Sequence, residues 1–203
     1  YVYFQRGANC AGLSRINVST DAVTAFGAGT AQFCAYGFEY AGVKYIASMA
    51  QVVSTGLTIL LESDLSVYYN PGVKGLTPYH KVLFYNNKLY VYSDYYIASA
   101  THINHITKIF DMASLTYDAD VNNCMISPSI VYGKYAVGRT NYNESAIILK
   151  DLSTQKVVDS IVHQTIPNIS MQPFVFCSVT NTIYAAVQNA TAGNNAILVI
   201  KIF

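Results

Sequence analysis

The chain has no tryptophan, only five prolines, and charged residues at 11% of its 203 positions. An ordinary soluble domain carries about 25% charge. The formal net charge is +1, which gives a polyanion such as nucleic acid nothing to grip. No run of about 18 apolar residues occurs, so no helical membrane span is expected; the longest apolar stretches, such as Ala196 to Phe203, are strand-sized. No C-x-x-C pair exists among the four cysteines, which argues against zinc, iron–sulfur and thioredoxin-like chemistry. Neither G-x-S-x-G, H-E-x-x-H, a Gly-rich phosphate loop nor a Cys–His pairing appears, and those are the common signatures of nucleophilic, metal and phosphoryl chemistry. The chain opens at Tyr1 without Met and without a basic-then-apolar leader, and so reads as a mature chain or an excised fragment.

What is present is strand-forming. Hydrophobic residues reach 52%, with 18 Tyr and abundant Val, Ile and Thr; such side chains suit a pleated, half-buried surface. Low charge with high apolar content excludes disorder and leaves Asn, Ser, Thr and Tyr to hydrate the surface. That composition leans toward the outside of a cell.

A repeat organises these residues. Tyr40-Ala-Gly-Val-Lys-Tyr45, Tyr85-Asn-Asn-Lys-Leu-Tyr90, Tyr132-Gly-Lys-Tyr135 and Thr180-Asn-Thr-Ile-Tyr184 share a turn followed by an aromatic. Tyr45, Tyr90, Tyr135 and Tyr184 lie 45, 45 and 49 residues apart. A Gly or Asn turn between alternating apolar runs is a hairpin signal. Further along each of the first three units, an acidic residue with Ser or Thr marks a second turn: Asp64-Leu-Ser, Asp111-Met-Ala-Ser and Asp151-Leu-Ser-Thr. Asp and Ser side chains bond the backbone of such turns.

Four antiparallel strands in about 45 residues make one propeller blade. The expected fold is therefore all-β, a four-bladed β-propeller with blades at about 31–76, 77–123, 124–171 and 172–203. The fourth blade reaches only three strands, and residues 12–19 are expected to pair with Ala196 to Phe203 and close the ring, because an unpaired apolar edge invites aggregation. Residues 1–9 read as an N-terminal arm able to add a strand to a neighbour or to pack on its own domain. The competing fold is a β-sandwich, which needs no 45-residue period.

The third unit, Gly133-Lys-Tyr-Ala-Val-Gly with Ser145-Ala-Ile-Ile-Leu-Lys-Asp151-Leu-Ser-Thr-Gln-Lys-Val-Val-Asp-Ser-Ile161, resembles the YVTN type of propeller repeat. Thr182-Ile-Tyr-Ala-Ala-Val-Gln-Asn with Ala196-Ile-Leu-Val-Ile is similar over three strands. Units one and two match in outline only, and the Gly that this family usually has before the next blade is missing. The resemblance implies a propeller in a surface-layer or other extracytoplasmic setting and implies no activity.

Candidate sites follow. Cys10, Cys34, Cys124 and Cys177 suit two disulfides of an oxidising compartment, with Cys10–Cys34 and Cys124–Cys177 favoured, Cys34–Cys177 as the alternative, and four buried thiols as the plainer reading. Asn17, Asn143, Asn168 and Asn189 open N-x-S/T acceptors; the last three fall in expected loops, and Asn17 in the expected closing strand. Asp118, Asp120 and Asn122 begin like a calcium loop but lack its Gly and its position-twelve Glu, so an inter-blade turn is the simpler account. His102 and His105 read as polar loop residues, and Asp21 to Thr30 as at most a helical turn. Tyr68-Tyr69 and Tyr95-Tyr96 fall near blade edges, where Tyr gives rigid contact area. The expected inner strands (Phe33 to Phe38, Lys81 to Tyr85, Ser129 to Tyr132, Pro173 to Cys177) are apolar apart from Lys81, which argues against a converging catalytic set.

The expected function is thus a non-enzymatic extracellular structural protein: a subunit of a cell-surface, filament or virion assembly. Self-association or other surface proteins are the expected partners, with no cofactor, no catalytic residue and no nucleic acid. The alternative is a lectin-like propeller module that binds carbohydrate or protein.

Overall fold

A computed structural model describes residues 1–5, 13–26, 32–50, 57–70, 81–96, 103–122, 126–139, 146–162, 169–171, 175–189 and 195–201. Every regular element in them is a β-strand, and every pairing is antiparallel. The chain divides into two compact units, Tyr1–Asn122 and Asn123–Phe203.

The first unit holds three sheets. β1 (Val2–Gln5), β2 (Leu13–Ile16) and β3 (Val23–Phe26) form a three-stranded meander. β4 (Gln32–Tyr40), β5 (Val43–Ala50), β6 (Leu57–Leu61) and β7 (Val67–Tyr69) form the first four-stranded sheet, and β8 (Lys81–Tyr85), β9 (Lys88–Tyr96), β10 (Ile103–Asp111) and β11 (Thr116–Asn122) the second. The second unit holds two sheets. β12 (Ile126–Tyr132), β13 (Tyr135–Arg139), β14 (Ala146–Asp151) and β15 (Lys156–Val162) run in order. In the last sheet, β16 (Ile169–Met171) and β17 (Val175–Cys177) both pair with one edge of β18 (Thr182–Asn189), and β19 (Asn195–Lys201) pairs with its other edge.

The local causes are visible in the turns. Ala41-Gly42 and Asn86-Asn87 have positive φ at both central residues, the geometry whose twist matches that of the flanking strands. Asn and Gly tolerate it best. The second hairpin of each four-stranded sheet in order repeats one device. Leu65, Leu115 and Gln155 have positive φ, and the outgoing strand then carries one extra residue, Tyr68, Asp118 or Val158, as a β-bulge. Asp111 Oδ1 accepts from the amides of Ala113 (2.7 Å) and Ser114 (3.1 Å). Asp151 Oδ1 does the same for Ser153 (2.8 Å) and Thr154 (3.3 Å). In the first sheet Leu61 stands at the matching position, and Asp64 caps the turn instead through the Ser66 amide at 2.9 Å. A further backbone bond ties each such turn to the first hairpin of its sheet: Glu62 N to Lys44 O, Met112 N to Asn87 O and Leu152 N to Lys134 O, at 2.9–3.0 Å.

Burial follows strand alternation. Phe38, Tyr45, Ala47, Leu57 and Ile59 on one face of the β4–β7 sheet pack with Val82, Leu89, Val91, Phe110 and Met112 of β8–β11 and the turn after β10. Phe38 lies 4.8 Å from the Phe84 ring, and Phe110 stacks on Tyr69 at 5.8 Å. The other face, with Ile46 and Leu60, packs with Leu13, Tyr3 and Phe26 of the three-stranded sheet. The β4–β7 sheet is therefore covered on both sides.

Three expectations change. The segment 12–19 does not pair with β19: both edges of β2 are already taken, by β1 and β3. Of the two readings of residues 1–9, the described part follows the one that packs on its own domain: Val2–Gln5 is β1, hydrogen-bonded to β2. Residues 23–26 of the segment read as a helical turn are strand β3. The four-stranded sheets lie at 32–69, 81–122, 126–162 and 169–201; the last takes in Ile169–Met171, which was expected at the end of the third blade, and so has four strands without the N-terminal segment. A fifth, non-repeating sheet precedes them.

Candidate functional site

Within the first unit, the three-stranded sheet and the β4–β7 sheet leave a cleft of about 360 Å³ between β1 and β4–β5. Strand alternation puts Ala35, Gly37, Glu39, Lys44 and Ile46 on its floor, because Gly37 pairs with Ile46 and Glu39 with Lys44. Nothing lies within 4 Å of where a Gly37 Cβ would stand, so the glycine leaves the cleft open there. Tyr3 forms the wall, and Glu62 the far end.

The wall is fixed by a polar clasp. Arg15 is buried on β2, and its guanidinium donates to the carbonyls of Glu62 and Ser63. Tyr1 lies over the same guanidinium, 4.3 Å from ring centre to carbon. Tyr3 donates its hydroxyl to the Glu62 carboxylate. Burial pushes the Tyr3 phenol up to about 12, helped by the Glu62 hydrogen bond and charge and opposed by Arg15. Tyr3 therefore stays a neutral donor at any physiological pH. A cleft with one aromatic wall, two carboxylates, one ammonium and one phenol can hold a neutral polyhydroxyl ligand. Sequence reading missed it because its parts lie 47 to 59 residues apart. The one clue was Arg15, the lone cation of a short strand flanked by Leu13 and Ile16.

A second surface is the bare face of the last sheet. Register aligns Val175, Tyr184 and Val199 in one row across β17, β18 and β19, and Ile197 shares their side of β19. All four are exposed, Ile197 at 70% and Val199 at 56%. The opposite side is covered: Ile183 is buried and Phe176 is half-buried.

Other expected residues fall as follows. Cys177 is a free, half-buried thiol, where a bond to Cys124 was expected; its sulfur turns into the tight turn at 178–181, and hydrogen bonds from Thr180 and from the Val179 amide hold the thiol below its ordinary pKa. Cys10 and Cys124 lie outside the described residues, and Cys34 is described only as backbone in β4. Asn143 and Asn168 lie outside them too, and Asn189 ends β18. Asn17 sits not in a strand interior but in the β2–β3 hairpin turn, where its Oδ1 accepts from the Ser19 amide (3.0 Å) and hydroxyl (2.6 Å). Asp118, Asp120 and Asn122 belong to strand β11 rather than to an inter-blade turn, with Asp118 as the bulge. An extended strand cannot wrap its oxygens round one ion as a loop does. Among the described residues no group of three His, Cys, Asp or Glu could hold a metal. His102 lies outside the described residues, and His105 is part of β10, not of a loop. Tyr68 is exposed as a bulge residue and Tyr69 half-buried; Tyr95 and Tyr96 are described as backbone of β9. No helix among the described residues is long and apolar enough to cross a membrane.

No family model and no curated protein matches the sequence, so the YVTN likeness does not extend to membership of that family. Among solved structures the chain is similar to the dihydro-heme d1 dehydrogenase NirN in complex with DHE, at a TM-score of 0.59 and 9% identity. That match covers 96% of this chain and 43% of the other. It is also similar to the AfRom2 CNH domain, at a TM-score of 0.53 and 7% identity, over 100% of this chain and 65% of that one. Both are propeller-like. At such identities the likeness shows the fold alone: all-β, with small antiparallel sheets of propeller type. The chain spans less than two thirds of either.

Proposed function

We propose that this chain is a non-enzymatic structural module of an extracellular or cell-surface assembly, built on small antiparallel sheets of propeller type. One observation carries the reading: the last sheet exposes Val175, Tyr184, Ile197 and Val199 together on one face, and such a face on a soluble domain marks an interaction surface. The low charge of the sequence supports it, since interface cores are poor in charge and rich in Tyr. Glycans on Asn17, Asn143, Asn168 or Asn189 and an extracellular setting belong to the same proposal. Electron microscopy and analytical ultracentrifugation of native material test it. Ordered assemblies are expected, and a strictly monomeric species at millimolar concentration would refute it.

A second reading is favoured by the cleft. A lectin-like module would seat one sugar ring against Tyr3 with its hydroxyls on Glu39, Lys44 and Glu62. A glycan array tests this reading: binding that is lost in Glu39→Ala supports it, and an array without signal removes it.

A further inference from the structure

The cleft beside β1 is apolar at one end and charged at the other. Along β4 its floor runs Ala35, Gly37, Glu39, and along β5 it runs Ile46, Lys44. Gly37 stands opposite the buried Ile46, and Glu39 opposite Lys44, both exposed. The Glu62 amide donates to the Lys44 carbonyl at 3.0 Å, so Glu62 stands at the charged end too. Two carboxylates and one ammonium therefore gather where the floor leaves its apolar part.

Donors and acceptors do not balance there. A carboxylate only accepts hydrogen bonds and a lysine only donates them. Glu39 and Glu62 together offer about eight acceptor sites, against about four donors on Lys44 and Tyr3. The Tyr3 hydroxyl already donates to Glu62. Arg15 lies close by, but its guanidinium donates to the carbonyls of Glu62 and Ser63 and lies against the Tyr1 ring. The charged side chains that line the cleft sum to −1, two carboxylates against one ammonium. A neutral sugar answers this surplus with hydroxyls, each donating once. A primary ammonium donates three times and brings the missing charge. A ligand carboxylate would add a third negative charge.

We propose that the ligand of this cleft is an amino sugar with a free ammonium group. Its ring lies against Tyr3 over the gap at Gly37, and its ammonium sits between Glu39 and Glu62, while Lys44 donates to a ring hydroxyl. The inference rests on the lectin-like reading above and narrows its ligand class.

The experiment titrates the full chain by calorimetry with three oligosaccharides of equal length: a glucosamine oligomer, its N-acetylated form and a glucuronic acid oligomer. The buffer is at about pH 6 and low ionic strength, so that the free amine carries its proton. The free-amine oligomer is expected to bind at least about tenfold more tightly than the acetylated one, with an advantage that shrinks as salt is added. The acidic oligomer is expected not to bind, since like charges face each other. Glu39→Gln should remove most of the advantage, and Lys44→Met, which deletes the opposing charge, should enlarge it. Both positions are exposed, and circular dichroism checks that the strand signal is kept. Equal affinity for the free-amine and acetylated oligomers, or an advantage untouched by Glu39→Gln, overturns the proposal and leaves the lectin-like reading standing. A glycan array without signal for neutral, aminated or acidic sugars overturns both.

Discussion

Arg15→Met tests the clasp that holds the three-stranded sheet on β4–β7. Methionine keeps the unbranched stem and removes the guanidinium. The carbonyls of half-buried Glu62 and exposed Ser63 lose their donor. A hydrogen bond to a charged group contributes about 1.5–3 kcal/mol. The two bonds share one side chain and one turn, so they do not add fully; water reaching the turn recovers part of the loss. A net destabilisation of about 2–4 kcal/mol is expected. With a urea slope of about 1–3 kcal/mol per molar, the midpoint should fall by about 1 M or more. The loss should be local first: hydrogen exchange of residues 13–26 should rise before that of β5 and β9, as in a sub-global opening. Arg15→Lys should fall between, because a point charge cannot fork between two carbonyls. An unchanged urea midpoint with unchanged exchange in β2 would refute the clasp.

Acid should loosen the second hairpins. Asp64, Asp111 and Asp151 are held below their ordinary pKa, the first two chiefly by backbone amides and Asp151 chiefly by the Lys134 ammonium at 2.6 Å. Folded carboxyls with depressed pKa stabilise above the unfolded pKa of about 3.8, and that contribution disappears as pH falls through the folded value; Asp151→Asn should flatten the acid limb of a stability–pH curve, and a limb of unchanged slope would count against it. Phe110→Ala removes a fully buried ring that touches Tyr69 and Tyr117, and should cost about 3–5 kcal/mol in chemical denaturation. Cys177 should take up iodoacetamide in the folded, unreduced protein, read by intact mass, because it is a half-buried free thiol; complete protection until reductant is added would restore the disulfide to Cys124.

The repeating part of the fold was legible because its signals are local. Asn86-Asn87 and Gly133 need positive φ, and Asp111 and Asp151 bond amides two and three residues on. Each such device announces itself within a few residues. The three-stranded sheet was not legible for the converse reason. Leu13 to Ile16 alternates like a strand, but period two says only that a strand exists and not with which strand it pairs. The closing strand was therefore assigned to β19, although β1 and β3 lay nearer in sequence. The cleft was equally hidden: Tyr3, Arg15 and Glu62 converge only once two sheets pack. The tyrosines divided in a way that composition could not foresee. Tyr92 is buried, with no hydrogen-bond partner for its hydroxyl among the described residues and its phenol held well above the ordinary pKa by desolvation. Tyr184 faces solvent.

The backbone bonds from residues 62, 112 and 152 to the carbonyls of 44, 87 and 134 have a mechanical meaning. Each joins the two hairpins of its sheet at their turned ends, so the four strands are laced into one block rather than hung in series. Under tension applied through the chain, such a block resists the unzipping of a single strand and gives way as a whole. A force-extension trace should then show a few large steps of whole-sheet length.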